Sequence, residues 1–144
     1  MSSFTTLTFR LPWPPSVNSY WRAIGRGRVI LSAKGRDYRL QSGRALEAQG
    51  VPCQRIEDRL VVSLLAQPPD RRVRDLDNLL KPLLDCLVTH AVIKDDGQID
   101  DLRVMRGERI RGGQVWVLMH PRAALPAAVS EMRCGAAGTL PACV

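Results

Sequence analysis

Leu60-Val-Val-Ser-Leu-Leu-Ala, then after Pro68-Pro69 the segment Asp70-Arg-Arg-Val-Arg-Asp-Leu-Asp-Asn-Leu-Leu-Lys, is the stretch on which the fold turns. The first part is a short apolar run of Val and Leu, bounded by charge on one side and prolines on the other, which reads as a central strand. The Arg71–Asp75 stretch after it is a basic loop. From Asn78 the apolar residues Leu79, Leu80, Leu83, Leu84, Leu87 and Val88 recur at i, i+1, i+4, i+5, i+8 and i+9, a broad stripe along one helix face. Proline is tolerated only in the first turn of a helix, because it lacks the N–H. Pro82 therefore sets the helix start close to Asn78 and leaves Asp75 and Asp77 in the turn before it.

Upstream, residues 4–11 alternate, with Leu7, Phe9 and Leu11 on one face and Thr6, Thr8 and Arg10 on the other, the pattern of a half-buried strand. Pro12, Pro14 and Pro15 end its ladder and predict an extended loop through Asn18 to Trp21. A short strand is expected near Val29–Leu31, after a Gly25–Gly27 turn. Ser32 is a good N-cap for a helix running to about Gln49, ended by Gly50 and Pro52 and made less regular by Gly35 and Gly43. Downstream, Asp95-Asp96-Gly97 reads as a turn, and Ile99–Arg106 and Gln114–Met119 as a hairpin joined across Gly112-Gly113. Beyond Pro121 the composition collapses to Ala, Pro and Gly without periodicity. The expected organisation is one domain over residues 1–120 and a disordered tail over 121–144. The order of elements predicts an α+β fold, a single small domain with one mixed β-sheet flanked by helices.

With 144 residues and 45% apolar content, one modest core can be filled and a second catalytic domain has no room. No run approaches the ~18 apolar residues of a membrane span, and Met1-Ser-Ser-Phe lacks the regions of a secretory signal, so a soluble cytoplasmic protein is expected. The cysteines, Cys53, Cys86, Cys134 and Cys143, match neither a zinc nor a disulfide pattern. They read as reduced thiols, Cys53 and Cys86 as small apolar packers and the other two as tail residues.

Charge says more. Lys and Arg outnumber Asp and Glu by 21 to 14, the electrostatic footprint of a protein that binds a polyanion. Residues 22–44 hold seven basic side chains against Asp37 alone, whereas Asp75, Asp77, Asp85, Asp95, Asp96, Asp100 and Asp101 supply half of all the acids. One reading is a polyanion-holding surface with a metal site at one spot. The other is arginine enrichment from a GC-rich genome, with aspartates capping turns.

Asp75 and Asp77, two residues apart just before a helix, can converge on one cation, and Lys81 follows one turn inside. Mg²⁺ favours such hard oxygen ligands and completes its octahedron with phosphate oxygens and water. Asp95-Asp96, at the far end of the helix, offers a third ligand. The same Asp-x-Asp-Asn sequence also suits an N-cap with favourable helix-dipole charges. An EF-hand is excluded, because Leu80 stands where its glycine must be, and a kinase catalytic loop is excluded by the Asp to Asn spacing. His90 and His120 have no partner at ligand spacing. Trp13, Tyr20 and Trp21 either stack on unpaired bases or anchor the proline-rich loop, and anchoring is the commoner role.

Three patterns, in order, resemble the RusA family of Holliday junction resolvases: Leu11-Pro-Trp-Pro-Pro-Ser-Val-Asn, the Asp70–Lys81 segment, and Asp95-Asp96-Gly-Gln-Ile. The resemblance implies that Asp75, Asp77 and Asp96 are the acidic catalytic residues and metal ligands, and that Lys81, one of three lysines in the chain, is the essential lysine. It also implies a homodimer that uses two sites to nick a four-way junction symmetrically. Pro82 directly after the lysine and the 121–144 tail depart from the family pattern. Asp85, one turn after Lys81, can orient it by an ion pair.

The function expected is thus a Mg²⁺-dependent endodeoxyribonuclease acting on Holliday junctions in recombination and repair. Arg22, Arg26, Arg28, Lys34, Arg36, Arg71, Arg72 and Arg74 would hold backbone phosphates. The alternatives are a non-catalytic basic DNA-binding protein of the same fold and, on one short segment only, a Pro-rich ligand through residues 12–15.

Overall fold

In a computed structural model that describes residues 4–123, the run at Leu60 becomes strand β4 (Leu60–Gln67). Leu60, Val62, Leu64 and Ala66 are buried on the core face, and the alternating residues Val61, Ser63, Leu65 and Gln67 are half-buried on the other. It lies inside a four-stranded mixed sheet of order β1-β6-β4-β5, with β1 (Leu7–Pro12), β5 (Ile99–Arg106) and β6 (Gln114–Pro121). β6 is antiparallel to β1 and β4, whereas β5 is parallel to β4.

One face of the sheet carries the core. Facing rows such as Phe9, Val117 and Leu64, or Leu11, Val115 and Ala66, come from the register of the three strands. Against them pack Leu46 of α2 (Ala33–Ala48) and Leu83 and Leu87 of α3 (Leu80–Thr89). Each fully buried leucine contributes about 1.5–3 kcal/mol by leaving water. The expected stripe on α3 is thus the face that seats the helix.

Ser32 caps α2 as expected, its Oγ accepting from the Gly35 N–H at 3.0 Å. Gly35 marks a close approach: a Cβ there would lie 2.6 Å from the Tyr20 carbonyl oxygen. The loop before α2 is more ordered than its prolines suggested. Residues Val17–Tyr20 form a helical turn, α1, and β2 (Trp21–Ala23) pairs with β3 (Val29–Leu31). This ribbon is a second, two-stranded sheet, a correction to the single sheet expected.

The expected hairpin between Ile99–Arg106 and Gln114–Met119 does not form, since β4 stands between the two strands. An apolar strand buried in mid-sheet must pair its N–H and C=O groups along both edges, and β5 and β6 satisfy one edge each. Their seven-residue connection, 107–113, steps over the end of β4. There the Gly107 N–H donates to the Ala66 carbonyl at 2.8 Å and the Ile110 N–H to the Pro68 carbonyl at 3.0 Å. Gly113 has φ +68, and a Cβ there would sit 2.9 Å from Trp13 and Pro69. The Gly-Gly turn is real, but it serves a crossover.

Smaller corrections follow. A 3-10 turn, Leu76–Leu79, precedes α3, so Asp77 lies inside a turn and the α-helix starts two residues after Asn78. Cys53 is exposed rather than packed in the core, whereas Cys86 is buried and its burial pushes the thiol up to about 11. Pro121 belongs to β6, and the Arg122 N–H donates to the Arg59 carbonyl at 2.8 Å, so the fold runs past residue 120. Residues 124–144, with Cys134 and Cys143 and most of the expected tail, lie outside the described residues. Among the described residues no helix is long and apolar enough to cross a membrane.

Candidate active site

Asp70 organises the loop that leads into the site. Its carboxylate accepts the Arg72 N–H at 2.9 Å and two bonds from the Arg74 guanidinium, at 2.5 and 2.9 Å. The Arg74 pairing, with the Arg72 amide, holds the Asp70 carboxyl well below the usual range. Arg74 also lies 5.8 Å over the Trp13 ring, and its carbonyl accepts from Arg106 Nη2 at 2.6 Å. Of the expected phosphate-binding residues, Arg74 is paired with Asp70 within the loop. Arg71 and Arg72 are exposed in it, and Arg22, Arg26, Arg28, Lys34 and Arg36 are exposed on the β2–β3 ribbon and the first turn of α2.

Asp75 occupies the N-cap position of the Leu76–Leu79 turn in extended conformation, yet its side chain makes no cap bond. Asp77 lies in that turn. Both are exposed, and among the described residues neither carboxylate accepts a hydrogen bond or joins an ion pair. The capping reading of Asp75 loses its basis. Asp75 and Asn78 also line a cavity of about 250 Å³ together with Trp13, Pro14 and Asn18 of the proline-rich loop, so two of the three sequence patterns meet there.

Lys81, at the second position of α3, links the third pattern. Its Nζ is 2.9 Å from Asp85 Oδ1, one turn on, and 3.5 Å from Asp96 Oδ2. The Asp85 bond first, then the charges of Asp85 and Asp96, raise the lysine's pKa and keep it cationic. The ion pair expected between Asp85 and Lys81 is present. Asp96 opens the short turn Asp96–Gln98, which Gln98 fastens down. Gln98 is buried, donates to the carbonyls of Ile56 and Asp58 at 2.9 and 2.8 Å, and accepts from the Lys94 and Asp95 amides at 3.1 and 2.9 Å. Asp95 completes a capping box with it. Asp-x-x-Gln is the sequence signal for such a box, and it was there to be read at 95–98.

The structure brings Lys81, Asp85 and Asp96 together and sets Asp75 beside Asn78 and the proline-rich loop. Among the described residues no three His, Cys, Asp or Glu side chains gather closely enough to enclose a metal ion. The donor set nevertheless suits a hard divalent cation, which usually takes only one or two protein carboxylates and leaves the remaining positions to water and phosphate. The histidines stay outside. His90 Nε2 donates to the Arg39 carbonyl at 2.9 Å, and His120 Nδ1 to the Pro121 carbonyl at 3.0 Å. Tyr20 is fully buried, with Arg39 Nε donating to its hydroxyl at 3.1 Å, and Trp13 packs on the core, so both anchor the loop as expected.

Comparison with known proteins gives this arrangement a class. A family model described as endodeoxyribonuclease RusA matches residues 12–118. The crossover junction endodeoxyribonuclease rusA of Enterobacteria phage HK97 is 40% identical over 109 residues, covering 76% of this chain and 89% of that protein. Proteins of the same name from Escherichia coli K12 and Enterobacteria phage 82 are each 36% identical over 110 residues, covering 76% of this chain and 90% of theirs. Among solved structures, the periplasmic domain of Helicobacter pylori MotB overlays with a TM-score of 0.39 and 11% identity, over 90% of this chain and 81% of that one, too weak a likeness to bear on fold or function. The class is a nuclease. The chain belongs to the RusA endodeoxyribonuclease family, and all three sequence patterns touch or fall within the matched span.

Proposed function

We propose that this chain resolves four-way DNA junctions by paired symmetric nicks, as a homodimer in the cytoplasm that depends on Mg²⁺. The observation that carries the reading is the pair of exposed, uncommitted carboxylates, Asp75 and Asp77, one helical turn ahead of a lysine held between Asp85 and Asp96. Carboxylates that face phosphate with no metal only weaken DNA binding, so their presence in a basic nuclease argues for a cation site. The junction substrate is what the HK97, E. coli and phage 82 relatives are named for.

Asp75 and Asp77 would hold the cation, with Asp96 as the third ligand. When bound, Mg²⁺ polarises the scissile phosphate and acidifies the attacking water. Lys81 supplies a fixed positive charge for the extra negative charge that develops on the phosphate oxygens. Asp85 positions that lysine and keeps it protonated. Gln98 holds the Asp95–Asp96 turn at the end of the site.

The test is incubation of purified protein with a synthetic four-way junction and with linear duplex of the same sequence, in Mg²⁺ or in EDTA. Cutting of the junction alone, and only with Mg²⁺, is expected. Equal cutting of the linear duplex, or cutting that survives EDTA, would contradict the reading.

A further inference from the structure

Next to the Asp75 cavity lies a second depression, walled on one side by the Asp70–Arg74 loop and on the other by Arg106, Gly107 and Arg109, which lie outside all three sequence patterns. It is a groove of about 590 Å³ between the Asp70–Arg74 loop and the far end of β5, and Arg71, Arg72, Arg74, Arg106 and Arg109 line it, with Asp70 the one acid among its lining residues. Asp70 is bound by Arg74 in a two-bond pair, so these two cancel and four guanidiniums remain. Arg71 and Arg109 make no hydrogen bond or ion pair among the described residues, and Arg72 comes no closer than 3.9 Å to Asp70 through its Nε. Arg106 comes from the end of β5 and Arg109 from the connection that steps over β4. The crossover that replaces the expected hairpin is thus what brings two basic side chains across from the loop. Val73 and Arg74 belong to the walls of both depressions, so the groove runs on into the cavity that holds Asp75.

We propose that this groove seats the DNA backbone next to the scissile phosphate, with Arg109 and Arg106 facing Arg71 and Arg72 across the strand. An open trough with five guanidiniums against one carboxylate suits a run of phosphodiesters, since each arginine offers a fork of donors to phosphate oxygens. A strand held there enters the cutting site from the Arg74 side, and the position of the cut is fixed relative to the arginines. The assignment rests on the reading of the chain as a junction-cutting nuclease.

Arg106 also ties down the Arg74 carbonyl, so Arg71 and Arg109, which hold nothing, are the residues to change. Binding to a labelled four-way junction is measured in EDTA over a salt series for wild type, Arg109→Ala, the double variant Arg71→Ala with Arg109→Ala, and Arg111→Ala. Arg111 is exposed on the same connection but does not line the groove. The slope of log affinity against log salt should shrink by about one for each groove arginine removed. Arg111→Ala should keep the wild-type slope. A double variant with the wild-type slope, or an Arg111→Ala slope reduced as much as that of Arg109→Ala, overturns the proposal. Wild-type protein that binds the junction but never cuts it with Mg²⁺ sinks the nuclease reading instead, while the slopes still judge the groove.

Discussion

Asn replacement separates the two roles a carboxylate can have at 75, 77 and 96, because Asn matches Asp in size and as an N-cap but lacks its charge. Asp75 makes no cap bond, so Asp75→Asn should leave stability within about 0.5 kcal/mol, read by thermal melting. Cleavage should vanish in all three Asn variants while junction binding persists or tightens, because a repelling charge has gone. Lys81→Ala should slow cutting by about 10²–10³-fold and weaken binding slightly. For Asp85→Asn the readout is the pH profile. Asp85 raises the lysine's pKa, and in the proposed mechanism the protonated lysine is the active form, so its loss should move the alkaline limb of the rate to lower pH. A profile that does not move would reduce Asp85 to a surface charge. Much of this site was legible in the sequence: the Asp75-Leu-Asp77-Asn spacing and a lysine one turn later need only helix periodicity. The Asp96 contact was not, because 15 residues separate it from Lys81 and only the fold closes that gap.

Elements were readable where a local signal decides them. The α3 stripe, the Ser32 cap and the β1 alternation all describe how a segment meets water, and the structure keeps each. Pairing was not readable for β5 and β6, since a turn signal such as Gly112-Gly113 shows that the chain reverses but not which strand it reverses beside. The competing demand came from β4, whose backbone N–H and C=O groups needed partners on both edges. Gln98 belongs to the same scale. Its side chain makes four hydrogen bonds, two to amides of its own turn and two to the carbonyls of Ile56 and Asp58, and Gln98→Ala removes all four. Chemical denaturation should show a loss of about 1–3 kcal/mol, and cutting should fall further than stability explains, because the Asp96 turn loosens. Unchanged cutting would separate that turn from the site.

For the whole molecule, a net charge of +7 with its acids concentrated in one segment predicts binding dominated by phosphate contacts. With about six to ten such contacts, affinity should fall about 10³–10⁵-fold between about 50 and 200 mM salt, and a flat response would contradict the phosphate-led account. A junction cut twice in symmetry calls for two copies of the site, so sedimentation at micromolar concentration should find a dimer, and a monomer would count against it. The most direct measurement maps nicks on a junction whose four strands are labelled in turn, comparing wild type with Asp75→Asn in Mg²⁺. The account predicts nicks at matching positions in two opposed strands for the wild type and none for the variant, with the variant still bound. Wild-type nicking of one strand alone, or an Asp75→Asn protein that cuts at the wild-type rate, would contradict it.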